Sequence, residues 1–184
     1  MRALRHPSAP LNLAGRPPIL HKAAATEHRT PILSLLLSFK ADVELADGAG
    51  TRALHVAARS DTAGAIELLL GAGAHVDAQR TSGASAIYLA AQSNACRSLS
   101  TLLGAGAKVD LPKEGGFTPL MVAAMRNHAG AVAMLLHGGA QPDRAYDVAD
   151  RWTALMLAAY FGHLEVLKEL LSLIHISEPT RLGM

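Results

Sequence analysis

The stretch Gly116-Phe117-Thr118-Pro119-Leu120-Met121-Val122-Ala123-Ala124 is the clearest copy of a pattern that recurs along most of the chain. Its Leu120 has counterparts 33 and 66 positions earlier, at Ile87 and Leu54, and another 35 positions later, at Leu155. A fixed period of about this length is typical of stacked supersecondary units, each of which buries its apolar face against its neighbours. The period therefore predicts a repeat protein.

Each copy also contains an alanine pair and, further on, a leucine pair. The alanine pairs are Ala57-Ala58, Ala90-Ala91, Ala123-Ala124 and Ala158-Ala159. The leucine pairs are Leu69-Leu70, Leu102-Leu103, Leu135-Leu136 and Leu170-Leu171. We interpret the alanines as the contact between adjacent first helices, where a larger side chain would overpack. The leucines are interpreted as the core between second helices.

The boundaries of these helices follow from capping residues. Ser85, Thr118 and Thr153 are predicted N-caps of first helices. A Gly-Ala pair follows three of the leucine pairs, and its glycine is predicted to end the second helix in the left-handed conformation. These pairs are Gly73-Ala74, Gly106-Ala107 and Gly139-Ala140.

Together these features resemble the ankyrin repeat family, whose first helix opens on Thr-Pro-Leu-His and whose helices turn at Gly-His, as at Gly162-His163. The resemblance implies an all-α fold, an α-solenoid of about five stacked helix-turn-helix repeats joined by β-hairpin finger loops. No unit keeps both the Thr and the His of Thr-Pro-Leu-His. We therefore expect an incomplete hydrogen-bond network between turn and helix, and modest stability.

The repeat pattern divides the chain into seven parts. They are a disordered leader (1–18), a degenerate first repeat (19–48), repeat two (49–81), repeat three (82–114), repeat four (115–149), a truncated repeat five (150–171) and an artefactual tail (172–184). The finger before Trp152 is two residues longer than the others, and Arg151 replaces its glycine. We expect this finger to be reshaped, in a way that suits a partner.

The two ends depart from the repeat pattern. The leader is rich in arginine and proline and has no acidic residue. A mitochondrial transit peptide is the alternative, but prolines disfavour its amphipathic helix. Residues 171–181 read as the translation of a transposase-type sequencing adaptor. We therefore exclude the tail from functional reasoning and expect the natural chain to continue with further repeats or another domain.

Composition narrows the functional classes. The net charge of +2 is too small to indicate nucleic-acid binding, and no apolar run approaches the roughly 20 residues of a membrane helix. Cys96 is the one cysteine, which excludes an intrachain disulfide and a cysteine-based zinc cluster. We expect a monomer in the cytoplasm, with the nucleus as the alternative.

Few residues of the chain are candidates for catalysis or for binding a metal or cofactor. His55 occupies the family's Thr-Pro-Leu-His position, and His28, His128 and His163 lie at or beside its Gly-His turn, so the resemblance implies structural roles for them. No His-Glu-x-x-His run is present. The glycines after the leucine pairs follow a helix, whereas a dinucleotide-binding loop follows a strand. We predict no catalytic, cofactor-binding or metal-binding residue, and no enzyme within this chain.

The resemblance places partner binding on a concave face formed by the fingers and first helices. Aromatic residues concentrate there between positions 117 and 161, beside arginines, a combination typical of binding hot spots. The predicted partner-binding residues are Phe117, Met125, Arg126, Tyr146, Arg151, Trp152, Tyr160 and Phe161. The alternative is that some of these rings pack locally against the neighbouring finger.

We interpret the chain as a non-catalytic scaffold that binds another protein. Two alternatives remain open. The repeats are the targeting module of a larger enzyme, such as a kinase, ubiquitin ligase or acyltransferase, or they are the cytoplasmic part of a membrane channel or transporter. A catalytic motif or a long apolar run beyond the repeats would decide between them, because fold alone does not determine function.

Overall fold

The computed structural model describes residues 18–146 and 151–177, with side chains as far as residue 172. The described part contains ten α-helices in five pairs, which confirms the all-α repeat solenoid. The first helices are α1 (Ile19–Ala24), α3 (Ala53–Arg59), α5 (Ala86–Gln92), α7 (Pro119–Met125) and α9 (Ala154–Tyr160). The second helices are α2 (Thr30–Ser38), α4 (Ala63–Gly71), α6 (Cys96–Gly104), α8 (Ala129–His137) and α10 (Leu164–Ser177). A short 3-10 helix, Glu27–Arg29, precedes α2.

The helices form two layers. Each first helix packs against the next first helix, and each second helix packs against the next second helix. The first helices have six or seven residues, whereas the second helices have nine or more. Small differences of this kind accumulate from repeat to repeat and bend a solenoid. The shorter, alanine-rich layer and the fingers beside it correspond to the side that the resemblance implies to be concave.

The core follows the predicted pattern, with one correction. The alanine pairs of α3, α5 and α7 are 0% exposed. The first leucine of each pair is also 0% exposed, as at Leu69 and Leu135. The second leucine is only half-buried in α4, α6 and α8, as at Leu70 and Leu136, and Leu171 of α10 is exposed. Adjacent helical residues are about 100° apart around the axis, so both leucines cannot face the same neighbour.

The predicted N-caps are present. The side-chain oxygens of Ser85, Thr118 and Thr153 accept hydrogen bonds from the backbone N–H three residues later, at 3.3–3.4 Å. The glycines predicted to end second helices have φ of 93°, 81° and 88° at Gly73, Gly106 and Gly139. Each is followed by a backbone hydrogen bond that reaches back into the last helical turn, as from the Ala74 N–H to the Leu69 carbonyl at 3.0 Å.

Two second helices, α6 and α8, obtain an N-terminal cap from the preceding repeat. The carboxylate of Asp61 in repeat two accepts the Ser98 N–H of α6 at 2.8 Å. In the same way, the Asn94 side chain of repeat three accepts the Ala131 N–H of α8 at 3.1 Å. Asp61 and Asn94 lie in the left-handed region with φ of 55° and 53°, which Asn and Asp tolerate better than other non-glycine residues. Neighbouring repeats are thus joined by hydrogen bonds as well as by apolar contact.

The histidines at the turn between the helices face the preceding repeat. Nδ1 of His128 is 3.1 Å from the Ala91 carbonyl, and Nε2 of His163 is 3.0 Å from the Met125 carbonyl. Both therefore have the structural role implied by the resemblance. His28 is exposed instead, and in repeat two the equivalent bond is made by Thr62, which donates to the Ala24 carbonyl at 2.7 Å.

His55 connects its own helix to the following finger. Its Nδ1 accepts the Arg52 N–H at 3.0 Å, and its Nε2 lies 2.9 Å from the Ala78 carbonyl. These two bonds require the neutral ring with its proton on Nε2. Burial lowers the pKa of His55 to about 4, with the Ala78 carbonyl acting in the opposite direction.

His21 occupies the equivalent position in repeat one, a role that the sequence analysis missed. It is buried, and burial lowers its pKa as well. Its Nε2 has no hydrogen-bond partner among the described residues, so the bond that His55 makes to the following finger is not reproduced in repeat one. In repeat four Met121 takes the histidine position, and its sulfur accepts the Thr118 N–H at 3.4 Å.

The fingers are tight turns that stack on one another. The Thr81 N–H donates to the Ala49 carbonyl of the previous finger at 3.1 Å, and the Glu114 N–H donates to the Ser82 carbonyl at 3.3 Å. In the described residues, hairpin pairing within a finger is limited to single antiparallel bridges, Gln79 with Ser85 and Tyr146 with Trp152. These bridges correspond to the β-hairpin fingers of the resemblance.

The stacking of the fingers leads to a prediction about glycine. Gly83 has φ of +75°, and a Cβ on it would lie 2.5 Å from the Glu114 backbone nitrogen. Gly116, at the same position of the next finger, has φ of +89° but open space around it. We expect Gly116→Ala to cost about 1–2 kcal/mol of unfolding free energy, because a left-handed conformation is costly for alanine. Gly83→Ala should cost at least about 1 kcal/mol more, because the backbone contact adds to it. Urea denaturation of both variants measures this difference, and equal losses would show that the finger contact is not required.

The pKa of His55 leads to a prediction about acid. Because its pKa is lower in the folded protein than its ordinary value of 6.5, the unfolded chain binds the proton first and acid favours unfolding. His55 alone should lower the unfolding free energy by about 2 kcal/mol between pH 7 and pH 5. His55→Met, the residue type found at Met121, should remove this part of the pH dependence. Denaturation curves at both pH values measure it, and an unchanged pH dependence in the variant would contradict the assignment.

Candidate protein-binding surface

The predicted aromatic residues form two groups. In the first, the rings of Phe117 and Tyr146 meet edge to face with centroids 5.0 Å apart. Both side chains are half-buried and pack against the core. For these two residues the local-packing alternative therefore describes the geometry, with Tyr146 of the fourth finger lying against Phe117 of repeat four.

The second group is an aromatic row of Trp152, Tyr160 and Phe161. The centroids of Trp152 and Tyr160 are 5.3 Å apart, and those of Tyr160 and Phe161 are 5.1 Å apart, each pair at nearly 90°. The ring of His163 stacks on Phe161 at 5.9 Å. Tyr160 is 72% exposed and Phe161 is 49% exposed, so the row presents two large rings to solvent.

The fourth finger joins the two groups. The Tyr146 N–H donates to the Trp152 carbonyl at 2.7 Å, which fixes the two chain segments side by side. Residues 147–150, between them, lie outside the described residues. Arg151 keeps the left-handed turn with φ of 49°, although it replaces glycine. The fourth finger was predicted to be reshaped, and most of the residues concerned, 147–150, lie outside the described residues.

A cavity of about 480 Å³ lies beside the aromatic row. It is lined by Trp152, Met156, Ala159 and Tyr160. Met156 is 50% exposed, although the equivalent residues of the four earlier repeats are all buried, as at Met121 with 1% exposure. In those repeats the following repeat packs at this position. The cavity therefore lies on the face of repeat five that corresponds to a contact between repeats.

The remaining predicted residues differ in exposure. Arg126 and Arg151 are exposed, and Trp152 is half-buried. Met125 is half-buried against the core, and its carbonyl is the partner of His163. The structure thus brings Trp152, Tyr160 and Phe161 together and places Phe117, Tyr146 and Met125 in supporting positions.

Sequence reasoning missed Met156 and a set of basic residues on the concave side. The first position of successive fingers is Asp47, Arg80 and Lys113. The carboxylate of Asp47 accepts the N–H groups of Ala49 and Thr51, both at 2.9 Å. The 33-residue period was sufficient to reveal this change from an acid to two bases.

Lys113 contacts the ring of Tyr88, which is buried in repeat three. Nζ of Lys113 lies 5.7 Å from the centroid of that ring, within the range of a cation–π interaction. Burial raises the pKa of Tyr88, and the charge of Arg126 acts in the opposite direction. Lys113 precedes α7 and Arg126 follows it, so a base flanks each end of one first helix.

The described residues form neither a metal centre nor a membrane-spanning helix. Over residues 18–146 and 151–177, no group of three or more His, Cys, Asp or Glu side chains is placed to hold a metal ion. Over the same ranges, no helix combines the length and apolarity needed to cross a membrane.

Helix pairs stacked in two layers and linked by fingers define an α-helical repeat solenoid that displays side chains on one face. The chain belongs to the ankyrin repeat family. The family described as Ankyrin repeats (3 copies) matches residues 7–80 and 87–180. The match begins within the predicted leader and ends within the predicted tail. Ankyrin repeats are in general protein–protein interaction modules. Comparison with curated proteins gave no match.

The exposure of Tyr160 leads to a prediction that separates binding from stability. Because its ring is 72% exposed, Tyr160→Ala should lower the unfolding free energy by no more than about 1 kcal/mol, the size of one aromatic pair. Leu135→Ala, at a site with 0% exposure, should cost about 2–5 kcal/mol. Trp152 is the one tryptophan, so its fluorescence reports both unfolding and the loss of its neighbour. A loss above about 2 kcal/mol for Tyr160→Ala would make Tyr160 a core residue.

Proposed function

We propose that this chain is a non-catalytic scaffold that binds a partner protein through the concave face of its fingers and first helices. The observation that carries the proposal is the aromatic row, whose Tyr160 and Phe161 are exposed at the end of the first helix α9. Large exposed rings in a contiguous apolar patch mark interaction sites in soluble proteins.

The proposed roles differ along the surface. Trp152, Tyr160 and Phe161 act as anchors, because aromatic side chains bury a large area at low cost in conformational entropy. Arg126 and Arg151 supply polar contacts at the edge of the anchors. Phe117, Tyr146 and Met125 act indirectly, because they support the finger that holds Trp152.

The contact between Tyr146 and Phe117 is an example of how a ring at this position of a repeat is covered. Phe117 and Trp152 are at equivalent positions of repeats four and five, and the ring of Tyr146 packs edge to face on Phe117. Tyr146 lies in an extended segment that is held by backbone hydrogen bonds. By analogy, we propose that the partner inserts one apolar or aromatic side chain from an extended segment against Trp152.

A peptide selection tests the proposal. The whole chain is immobilised, a library of random peptides displayed on phage is selected on it, and the affinity of the enriched peptides is measured by calorimetry. We expect Tyr160→Ala to weaken binding about 30-fold, since truncation of a hot-spot residue costs about 2 kcal/mol.

The chain offers a matched control. Phe39 follows α2 and is 74% exposed, which makes it as accessible as Tyr160 but places it on a different part of the molecule. Phe39→Ala should change the affinity by less than about twofold. The proposal fails if no peptide is enriched over a blank surface, or if Phe39→Ala weakens binding as much as Tyr160→Ala.

A further inference from the structure

We infer that the partner segment bound on this face is acidic, with carboxylates that lie along Lys113 and Arg126 and, further along the groove, Arg80 and Arg59. This inference rests on the proposed function and specifies the chemistry of the partner. It is carried by the charge of the concave face, which differs from the aromatic features that carry the proposed function.

The backbone turn of the fingers does not require these bases. Three fingers share one backbone turn: the N–H of Asp47, Arg80 and Lys113 donates to the carbonyl four residues later, at 2.9, 3.0 and 3.1 Å. In the first of these fingers, the Asp47 carboxylate also binds the turn. A basic side chain cannot accept such bonds. The turn persists without them, so the change to Arg80 and Lys113 adds positive charge without a role in the turn.

Within the described residues, these bases form no ion pair. Arg52, on the same side, lies with its Nε 2.8 Å from a carboxylate oxygen of Glu44. Among ion pairs between described residues, none involves Arg59, Arg80 or Arg126. The Nε atom of Arg80 is buried and has no hydrogen-bond partner in the described part of the chain.

The positions of two bases also suit a carboxylate partner. Nζ of Lys113 lies 5.7 Å from the centroid of the Tyr88 ring, and Arg126 is exposed directly after α7. Each cation can bind a carboxylate through charge-assisted hydrogen bonds, which are stronger than neutral ones.

Most acidic side chains of the described fingers are already engaged. Asp47 binds its own turn and Glu44 pairs with Arg52. Asp77 and Asp110 accept backbone N–H groups of the following repeat, and Glu114 is exposed.

The repeat spacing sets the spacing of acids in the partner. Adjacent first helices lie about 8–10 Å apart, and an extended chain advances about 3.3 Å per residue. A partner that runs along the groove therefore passes one repeat in about three residues. With its anchor on repeat five, it would carry an acid about three residues away, opposite Arg126, and another about nine residues away, opposite Arg59.

A polypeptide fits these observations better than a nucleic acid. The cations are few and separated, whereas binding of a phosphate backbone uses many contacts and a dense basic surface. The second helices and their connecting turns carry acidic residues such as Glu67 and Asp77. An acidic peptide with an apolar anchor matches both the aromatic row and the separated charges.

Fluorescently labelled synthetic peptides test the inference. Each has about 12 residues, a tryptophan anchor and, about three and nine residues away, glutamates in one peptide, glutamines in the second and lysines in the third. By anisotropy at low salt, the glutamate peptide should bind at least about tenfold more tightly than the glutamine peptide, and the lysine peptide most weakly. The difference should shrink at about 500 mM salt, where screening reaches only a few ångströms.

Charge reversal on the protein provides the matched comparison. Arg126→Glu should weaken the glutamate peptide at least about tenfold and strengthen the lysine peptide. Lys168→Glu makes the same change of charge on α10 in the other layer, where the lysine is paired with Glu165, and should leave both affinities within about twofold.

Each other outcome overturns the inference. If the glutamine peptide binds as tightly as the glutamate peptide while Tyr160→Ala still weakens it, the acidic partner is wrong and the proposed function stands. If none of the peptides binds, the inference falls, and the phage selection decides separately on the proposed function. If single-stranded oligothymidylate displaces the glutamate peptide at low salt and binds more tightly through Arg126, the groove serves nucleic acid instead.

Discussion

The close approach of the first helices is the constraint on which the rest of the structure depends. The alanine pairs of α3, α5 and α7 are completely buried between neighbouring helices, and the distance that they permit sets every other contact between repeats. At that distance the fingers come within backbone hydrogen-bonding range, and Asp61 and Asn94 reach the next second helix. A larger side chain in place of one alanine would separate two repeats and stretch all these bonds together.

The period and the capping residues were sufficient to predict most of the fold. Periodic apolar positions located the helices, and Ser85, Thr118 and Gly73 act at the ends of helices as their residue types indicate. The period did not distinguish the two leucines of each pair, of which the first is completely buried and the second, in α4, α6 and α8, packs partly exposed against the core, because helix geometry turns it away from the neighbour. It also missed His21, since the first repeat is offset by one residue and its histidine falls outside the exact period.

The sequence was sufficient to predict which residues form the candidate binding surface, but not which of their side chains are exposed to solvent. Phe117 and Trp152 have equivalent places in the sequence, yet Phe117 lies under Tyr146 whereas Trp152 borders a cavity. Whether a ring is covered depends on the next finger, and a single repeat contains no information about its neighbour's side chains. The basic residues Arg80 and Lys113 were overlooked for a different reason, because each looks unremarkable until it is compared with Asp47 in the equivalent finger.

The hydrogen bonds that cap α6 and α8 run in one direction along the chain. The acceptors Asp61 and Asn94 belong to an earlier repeat, and the N–H groups that they bind belong to a later one. During synthesis on the ribosome, the N-terminal part of a chain emerges and folds first. The acceptor is therefore already in position when the next second helix leaves the exit tunnel. Each finished repeat acts as a template for its successor, so the order of translation and the order of assembly coincide.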